Sequence, residues 1–308
     1  MTFGQLRTFL EVARHRSIRG AAASLVVTEP SVSAAVAALG REMGVELLER
    51  EGRGIRLTPA GVELAGYAAQ ILGLADQAAR RVQEVSGRTA RLHLAAVTTV
   101  GEYVLPPLLK LFRQRHPAVL MRMEVGNRDW VFERLACREA DLAIGGRPPS
   151  GSGIIGEAFL DNELLVVGSP DNPLASQRSV DPDLLSRETW LVREGGSGTR
   201  QNTEEFFRER GVEASSVMTL GSNGAVKQAA ATGLGITLLP AHAVTAELTA
   251  GTLVRLPVKG MPLRRSWFVA YLEGTAPAGS AVWFLDLLRS PDTPRVVKEW
   301  LGTSGGAT

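Results

Sequence analysis

The sequence has 308 residues, 44% of them hydrophobic and 21% charged, with a formal net charge of +2. These values exclude an intrinsically disordered chain and predict a globular protein of about two domains. The single cysteine, Cys137, excludes an internal disulfide and a cysteine-based zinc site. The four histidines show no metal-ligand spacing, so we expect neither a metal nor a cofactor.

The first residues lead directly into an amphipathic helical pattern, and no apolar run approaches the length of a membrane-spanning helix. We therefore expect neither a signal peptide nor a membrane segment, and we expect a cytoplasmic location. A solute-binding protein for transport would need an export signal, so the sequence argues against that class of protein.

Residues 17–39 predict two short helices separated by a turn of about three residues. Ser17 and Thr28 are good N-caps, and Pro30 falls in the first turn of the second helix, where proline is tolerated. The second helix has an apolar stripe with the spacing of one buried face, formed by Val32, Val36 and Leu39. This is the helix-turn-helix pattern, whose second helix enters the major groove of DNA. The pattern leaves one alternative open, an alanine-rich helix pair inside an ordinary bundle.

A hairpin pattern follows the helix pair. Two short strand-like pieces flank the turn Glu51-Gly52-Arg53-Gly54, which places Arg53 at the tip and Arg50 and Arg56 in the arms. A hairpin after a recognition helix is a wing, and a guanidinium at its tip suits a narrow, electronegative minor groove. Residues 1–60 contain eight arginines and six acidic residues, so the net positive charge lies in this part of the chain. A solvated basic turn is the alternative.

A long helical pattern begins at Thr58-Pro59 and continues to about Val85. Its apolar residues are spaced alternately by four and three positions, which is typical of a coiled-coil seam. The seam predicts a dimer, and a dimer presents two recognition helices to paired half-sites on DNA. An amphipathic helix packed on its own chain is the alternative. The predicted seam residues are Leu64, Ala68, Ile71, Ala75, Ala78, Val82 and Val85.

Beyond residues 86–89, which break this helix, strand-like and helix-like segments alternate. Two successive sets of such segments predict two α/β lobes with mainly parallel sheets and a cleft between them. The fold class is therefore α/β, preceded by a winged helix-turn-helix and a coiled-coil linker helix. The predicted domains are the DNA-binding domain at 1–58, the linker helix at 59–88 and the two-lobed domain at 89–308, with lobe 1 at about 89–162 and 266–308 and lobe 2 at about 163–265.

The ends of three predicted strands carry groups that suit an anion. Thr98-Thr99 opens a helix after the first strand, and glycine-rich loops lead to Arg147 and to Arg200 after two others. Ligands of open α/β sheets lie outside the carboxyl ends of the strands, where helix N-termini and loop amides converge. The sequence therefore predicts a carboxylate or phosphate site in the cleft. For each loop the alternative is purely structural, since such residues also cap helices and turn the chain.

Catalytic motifs are missing from the same regions. The segment Gly195-Gly196-Ser197-Gly198-Thr199 lacks the last glycine of a nucleophile elbow, and the sequence has no GxxxxGK[ST] phosphate loop. We therefore expect a binding cleft and not an enzyme. A ligand-independent oligomerisation module is a further alternative for this domain.

A dense resemblance to the LysR-type transcriptional regulators covers residues 6–61, which read LRTFLEVARHRSIRGAAASLVVTEPSVSAAVAALGREMGVELLEREGRGIRLTPAG. It implies a sequence-specific regulator in which Arg53 reaches the minor groove. Glu29 stands where glutamine is common in the family, and Ala34 stands where a long polar residue is common. Glu29 adds repulsion near phosphate, and Ala34 lacks a donor that could contact a base. Recognition of the operator is therefore expected to depend more on DNA shape. The resemblance implies contacts to operator bases and phosphates at Thr28, Pro30, Ser31, Ser33 and Ala34.

The second half resembles the two-lobed, periplasmic-binding-protein-like (type 2) effector domain of the same family. Within the family, the segments HPAVLMRMEVGNRDWVFERLACREADLAIGGRPP and REGGSGTR resemble regulators of autotrophic carbon metabolism, which sense phosphorylated or otherwise anionic metabolites. The implied effector contacts are Thr98, Thr99, Asn127, Arg147, Ser197, Thr199 and Arg200. We expect the effector to modulate operator binding. The expected partners are double-stranded DNA, further copies of the chain in a homodimer that pairs into a homotetramer, and RNA polymerase.

Overall fold

The computed structural model describes residues 1–52, 54–86, 90–274, 277 and 279–304. The chain divides into two compact units, residues 1–88 with 136–139 and residues 89–135 with 140–308. Residues 136–139 belong with the first unit, where Arg138 donates a hydrogen bond to Gln77 Oε1 at 3.0 Å. None of the described helices is by itself long and apolar enough to cross a membrane.

The first unit contains three helices, a two-stranded hairpin and a fourth, long helix. Its elements are α1 (Phe3–His15), α2 (Ile18–Leu25), α3 (Glu29–Met43), β1 (Leu48–Glu51), β2 (Gly54–Leu57) and α4 (Pro59–Val85). The predicted N-caps Ser17 and Thr28 are confirmed, and Thr58 caps α4 in the same way, because the hydroxyl of each accepts a hydrogen bond from a first-turn amide. Each such cap contributes about 0.5–2 kcal/mol to stability.

A single apolar core holds these helices together. Its members come from every helix of the unit and from the start of the hairpin, and the fully buried ones include Leu6, Phe9, Val12, Val32, Leu39 and Ala68. Full burial of a large apolar side chain contributes about 1.5–3 kcal/mol. The close approach of α4 to the chain before β1 requires Gly61, because a Cβ atom there would overlap the carbonyl oxygen of Leu47.

The second unit alternates strands and helices. Its strands are β3 (Arg91–Val97), β4 (Leu120–Gly126), β5 (Leu142–Gly145), β6 (Ile154–Gly168), β7 (Thr189–Arg193), β8 (Ser216–Leu220), β9 (Thr237–Pro240), β10 (Val254–Arg255) and β11 (Leu263–Leu272). Its helices are α5 (Thr98–Tyr103), α6 (Leu105–Arg115), α7 (Arg128–Ala136), α8 (Gly198–Arg210), α9 (Asn223–Ala231), α10 (Ala241–Ala250), α11 (Ser280–Arg289) and α12 (Asp292–Ser304). Two short 3₁₀ helices, Pro173–Ser176 and Pro182–Arg187, lie between β6 and β7.

The unit has two lobes, each with its own apolar core. Lobe 1 contains β3–β5 with α5–α7, α11 and α12, and its core includes Phe112 packed edge-on against Phe284 at 5.2 Å. Lobe 2 contains β7–β10 with α8–α10, and its core surrounds Trp190, whose ring lies 4.7 Å from that of Phe207. The predicted α/β fold class with two lobes is confirmed.

The prediction of mainly parallel sheets is wrong, because the strands form a mixed arrangement. β3 pairs in parallel with β4 and β5, and β7 pairs in parallel with β8. The long strands β6 and β11 run antiparallel to each other and extend from one lobe to the other, with Ile154 opposite Leu272 and Leu164 opposite Leu263. β11 also pairs antiparallel with β5, and β6 with β9 and β10. The chain crosses between the lobes along β6 and returns along β11, which makes this pair antiparallel.

Candidate functional site

The helix pair α2–α3 has the geometry that the sequence predicts. The two helices meet at 109°, and Val32, Val36 and Leu39 are buried on the inner face of α3. At the start of α3, the hydroxyl oxygens of Thr28 and Ser31 lie 2.8 Å apart, so both are held at the end of the helix. The five predicted DNA contacts on this surface are all exposed: Thr28, Pro30, Ser31, Ser33 and Ala34. A helix face of small exposed residues can approach a groove closely.

The predicted wing is the antiparallel pair β1–β2. Glu49 and Arg56 face each other across the pair and form an ion pair at 2.8 Å, while Arg50 is exposed. The amide of Ile55 donates to the carbonyl oxygen of Arg16 at 3.2 Å, which fixes the hairpin beside the end of α1. Arg53 lies outside the described residues, so its predicted role stays a prediction.

An exposed carboxylate lies at the first position of α3. Glu29 stabilises the helix N-terminus, and on DNA it would face phosphate at the same end. We expect Glu29→Gln to raise DNA affinity by about threefold to tenfold at low salt, since one repulsive charge is removed from each recognition helix. Fluorescence anisotropy with a DNA fragment selected by the wild-type chain would measure the change. An unchanged or lower affinity would contradict this placement of Glu29.

The predicted seam residues of the long helix α4 fall into two groups, those that pack in the core of the first unit and those that are exposed. Ala68 is fully buried in the core of its own unit, and Leu64 and Ile71 pack against that core. Ala68 is therefore not available to a partner helix, whereas Leu64 and Ile71 are only half-buried and their place in a dimer seam stays a prediction. Ala75 is half-buried, and the remaining three predicted seam residues are exposed: Ala78, Val82 and Val85. The sequence analysis missed three other large exposed apolar residues on α4, Val62, Tyr67 and Leu74.

A cleft of about 720 Å³ lies between the two lobes of the second unit. Strand ends and helix starts of both lobes line it, and β6 and β11 form its base. Six of the seven predicted effector residues are in its lining: Thr98, Thr99, Asn127, Arg147, Ser197 and Thr199. The loops that carry them are far apart in sequence, and the strand ends bring them together as expected for this type of sheet.

Arg200 is not among the residues that line the cleft. Its Nε atom pairs with Glu204 Oε1 at 2.7 Å, and its NH1 group donates to the carbonyl oxygen of Arg193 at 3.2 Å. The partner four residues later on the same helix turns the guanidinium along α8. Arg200 is therefore the one predicted effector residue that the structure does not bring into the cleft lining.

A buried polar chain that the sequence analysis missed lies at one wall of the cleft. Arg193 is 4% exposed and donates from Nε and NH2 to the two carboxylate oxygens of Glu194, at 2.7 and 2.8 Å. Its NH1 group donates to Asn223 Oδ1 at 2.6 Å, and Asn223 Nδ2 donates to Thr99 Oγ1 at 3.0 Å. Burial opposes ionisation of Glu194, but the hydrogen bonds and charge of Arg193 outweigh it, so the pKa of Glu194 is below its usual value.

The lining is predominantly cationic. Five arginines line the cleft together with two carboxylates, Asp161 and Glu205. Among the described residues, Arg128 and Arg147 have no carboxylate partner; Arg128 donates to the carbonyl oxygen of Arg147 at 2.9 Å, and the Arg147 guanidinium lies 5.4 Å from the Phe268 ring. The arginines are Arg128, Arg147, Arg193, Arg264 and Arg265.

In the part of the chain that the structure describes, two buried polar atoms of the lining have no hydrogen-bond partner within the protein. They are Asn162 Oδ1 on β6 and Trp267 Nε1 on β11. A buried unpaired donor or acceptor costs about 1–3 kcal/mol, so native proteins retain one mainly where a ligand or water supplies the partner. Among the described residues, no group of histidine, cysteine or acidic side chains has the arrangement of a metal site. Asn162 Oδ1 can only accept a hydrogen bond and Trp267 Nε1 can only donate one, so these two atoms suit a ligand with both a donor and an acceptor, while the arginines of the lining suit acceptor oxygens.

Comparison with known proteins places both halves of the chain. Residues 3–62 match the family described as "Bacterial regulatory helix-turn-helix protein, lysR family", and residues 86–291 match "LysR substrate binding domain". The "RuBisCO operon transcriptional regulator" of Allochromatium vinosum is 39% identical over 284 residues, which is 90% of this chain and 92% of that protein. The chain belongs to the LysR family of transcriptional regulators. The prediction made from the sequence is confirmed.

Other relatives agree with this assignment. The "HTH-type transcriptional activator CmpR" of Synechocystis is 37% identical over 94% of this chain and 96% of its own length. The solved regulatory domain of Synechocystis CcmR "in complex with 2-PG" is 35% identical, covers 65% of this chain and 96% of that chain, and has a TM-score of 0.60. Full-length CbnR with its target DNA, at 23% identity and a TM-score of 0.64, shares the fold over 94% of this chain and 99% of that chain.

This LysR-type protein is thus a DNA-binding transcriptional regulator with an effector-binding domain. Its relatives are named regulators or activators of transcription, which agrees with the expectation of a regulator and not an enzyme. Members of the family bind DNA and form oligomers. The individual DNA, dimer and effector contacts in this chain stay predictions.

Proposed function

We propose that this LysR-type regulator binds a small phosphorylated carboxylate in the cleft between its lobes and changes its operator binding in response. The observation that carries the proposal is the pair Arg128 and Arg147, which line the cleft and lack a carboxylate partner among the described residues. A phosphate or carboxylate would supply the missing negative charge through charge-assisted hydrogen bonds. The relative CcmR, solved with 2-PG, supports the same chemical class of ligand.

The ligand is proposed to act on lobe closure. The backbone amide of Arg128 in lobe 1 donates to the carbonyl oxygen of Gly196 in lobe 2 at 3.1 Å, so the two lobes already touch at one edge of the cleft. A ligand that contacts both lobes favours the closure state in which it makes more contacts. Coupling between two binding sites is typically worth about 1–3 kcal/mol, or about 5–150-fold in affinity.

The assembly is part of the same proposal. We infer that the chain acts in the cytoplasm as a homodimer that pairs into a homotetramer, and that it contacts RNA polymerase at target promoters. The name of CmpR as a transcriptional activator and the carbon-fixation names of other relatives support regulation of autotrophic carbon metabolism. No cofactor is proposed beyond the effector itself.

The proposal is tested by titrating the full chain with 2-phosphoglycolate. We expect saturable binding by calorimetry, a higher thermal midpoint at saturating ligand, and a changed affinity for DNA selected by the wild-type chain. Inorganic phosphate, sulfate and malonate serve as smaller anions for comparison. If none of these anions binds, the cleft is not an anion site and a ligand-independent oligomerisation module becomes the better account of this domain.

The exposed cation Arg147 offers a direct test of the site. We expect Arg147→Gln to weaken 2-phosphoglycolate binding by about fivefold to tenfold, because one charge-assisted hydrogen bond is lost at a partly solvated position. Arg200→Gln is the matched control, since Arg200 does not line the cleft. Calorimetry should show no more than about a twofold change for this control, within the usual effect of a surface substitution. Equal losses in both variants would contradict the site.

A further inference from the structure

The orientation of the Asn223 side-chain amide is determined by Arg193. A guanidinium has only donors, so the atom of Asn223 that lies 2.6 Å from Arg193 NH1 must be the carbonyl oxygen. The two bonds from Arg193 to Glu194 hold the guanidinium in place. The amide nitrogen of Asn223 therefore faces Thr99. The oxygen and nitrogen ends of an amide have nearly the same shape, so it is the donor-only guanidinium that distinguishes them here.

The hydroxyl of Thr99 has one hydrogen and accepts through its oxygen from Asn223 Nδ2 at 3.0 Å. Within the described part of the chain, no protein acceptor is hydrogen-bonded to the Thr99 hydroxyl hydrogen. Thr99 is 3% exposed, and it lines the cleft. Since Thr99 lines the cleft, a ligand there is within reach of the unbonded hydroxyl hydrogen.

The contact between Asn223 and Thr99 lies within a wider junction of the two lobes. Thr99 and Tyr103 are four residues apart on α5, and Asn223 and Lys227 are four residues apart on α9, so each pair occupies one helix face. One turn after the first contact, Lys227 Nζ lies 4.9 Å from the centre of the Tyr103 ring. Lys227 also pairs with Glu247 at 2.6 Å. The two helices are held in register at two successive turns, which fixes the direction of the Asn223 amide before any ligand binds.

We infer that Asn223 is a positioning residue of the effector cleft: it turns the Thr99 hydroxyl hydrogen toward the ligand, so that this corner selects a group that only accepts hydrogen bonds. This inference deepens the proposed function and rests on it. An ionised phosphate or carboxylate has only acceptors at its oxygens and matches the oriented hydrogen. A ligand hydroxyl or amine placed there would meet a donor, and the buried mismatch would weaken its binding.

The test is a double-mutant cycle on the full chain with 2-phosphoglycolate as the probe. Asn223→Asp keeps the acceptor for Arg193 but removes the donor, so Thr99 donates to the new carboxylate and its hydrogen leaves the cleft. Thr99→Val removes the hydroxyl with little change of shape. We expect each single variant to lose about tenfold or more in affinity, as for a hydrogen bond to a charged group. In the Thr99→Val background, the loss of affinity caused by Asn223→Asp should be at least about fivefold smaller than the loss that it causes in the wild type.

A matched control separates hydroxyl orientation from added charge. Asn202→Asp makes the same chemical change at another residue that lines the cleft. Among the described residues, the hydrogen-bond partner of the Thr99 hydroxyl is Asn223 and not Asn202. Its cost should be the same in both backgrounds, within about twofold, because charge repulsion alone is additive. Thr99→Ser keeps a hydroxyl and should restore both the wild-type affinity and the full cost of Asn223→Asp. If Asn223→Asp costs the same in the wild type and in the Thr99→Val and Thr99→Ser backgrounds, the inference is overturned.

The outcomes distinguish this inference from the proposed function. If the wild-type chain binds 2-phosphoglycolate and the effects of the Thr99 and Asn223 substitutions on affinity are additive, the proposed effector site is supported and the positioning role of Asn223 is contradicted. If the wild-type chain binds no anion, both fall together. Thermal unfolding without ligand checks that each variant is folded. If Asn223→Asp does not fold, Thr99→Val and Thr99→Ser still give a result, because equal affinity in these two variants would contradict a donating hydroxyl.

Discussion

Replacing Ser33 by glutamate is expected to abolish specific DNA binding while leaving the fold intact. Ser33 is exposed on α3, and its side chain lies beside the stripe formed by the buried residues Val32 and Val36 and not within it. A glutamate there would place a negative charge against DNA phosphate in every subunit. Like charges brought together at an interface cost several kcal/mol, so we expect a loss of about a hundredfold or more. Fluorescence anisotropy at fixed salt, with DNA selected by the wild-type chain, measures it.

Two controls identify the cause of that loss. Ser33→Gln has nearly the same size without the charge and should lose far less affinity than Ser33→Glu. Gln83→Glu adds the same charge at an exposed position of α4 and should bind DNA as the wild type does. If Ser33→Glu stays within threefold of the wild type, α3 does not lie in the groove. A lower thermal midpoint in Ser33→Glu would instead indicate a folding defect.

The DNA-binding half could be predicted closely because its signals are local. Ser17 and Thr28 each cap a helix through a bond to an amide three residues later, and the stripe of α3 repeats within three turns. Such patterns depend on neighbours that the sequence displays side by side. The wing follows from a turn between two short strands in the same way.

The effector cleft could be predicted only in part. Thr99 follows from its place at a strand end, but its partner Asn223 is 124 residues away, and no sequence spacing connects the two. Arg193 lies inside a strand pattern and reads as a structural residue until Asn223 and Glu194 are placed around it. The position of Arg200 along α8 had a local signal, because Glu204 four residues later offers a helical ion-pair partner.

The dimer seam shows how packing overrides periodicity. Leu64, Ala68 and Ile71 keep the spacing of the seam, yet the winged-helix core occupies that side of α4. Among the described residues of α4 after Gly73, none belongs to that core or packs against it, and Leu74, Val82 and Val85 are exposed to solvent. A heptad pattern reports a buried face but does not identify what buries it.

Charging the exposed apolar side of α4 is expected to convert the oligomer into monomers. Leu74, Val82 and Val85 are 50%, 70% and 90% exposed, which is unusual for apolar residues on one helix and typical of a surface that a partner covers. The double variant Leu74→Glu with Val82→Glu would bring like charges together between paired helices. Sedimentation velocity should show a monomer at concentrations where the wild type is associated. Val62→Glu is the matched control, because Val62 is 58% exposed on the same helix but points elsewhere.

The same double variant should also lose DNA affinity, although neither substitution lies near α3. A dimer that has bound one half-site holds its second recognition helix close to the other half-site, and such linkage raises overall affinity by about 10²–10⁴-fold. We therefore expect about a hundredfold weaker binding to a two-half-site fragment but nearly unchanged binding to a single half-site. A monomer that binds both fragments like the wild type would contradict paired recognition. An oligomer that survives both charges would instead show that another surface of the chain holds the subunits together.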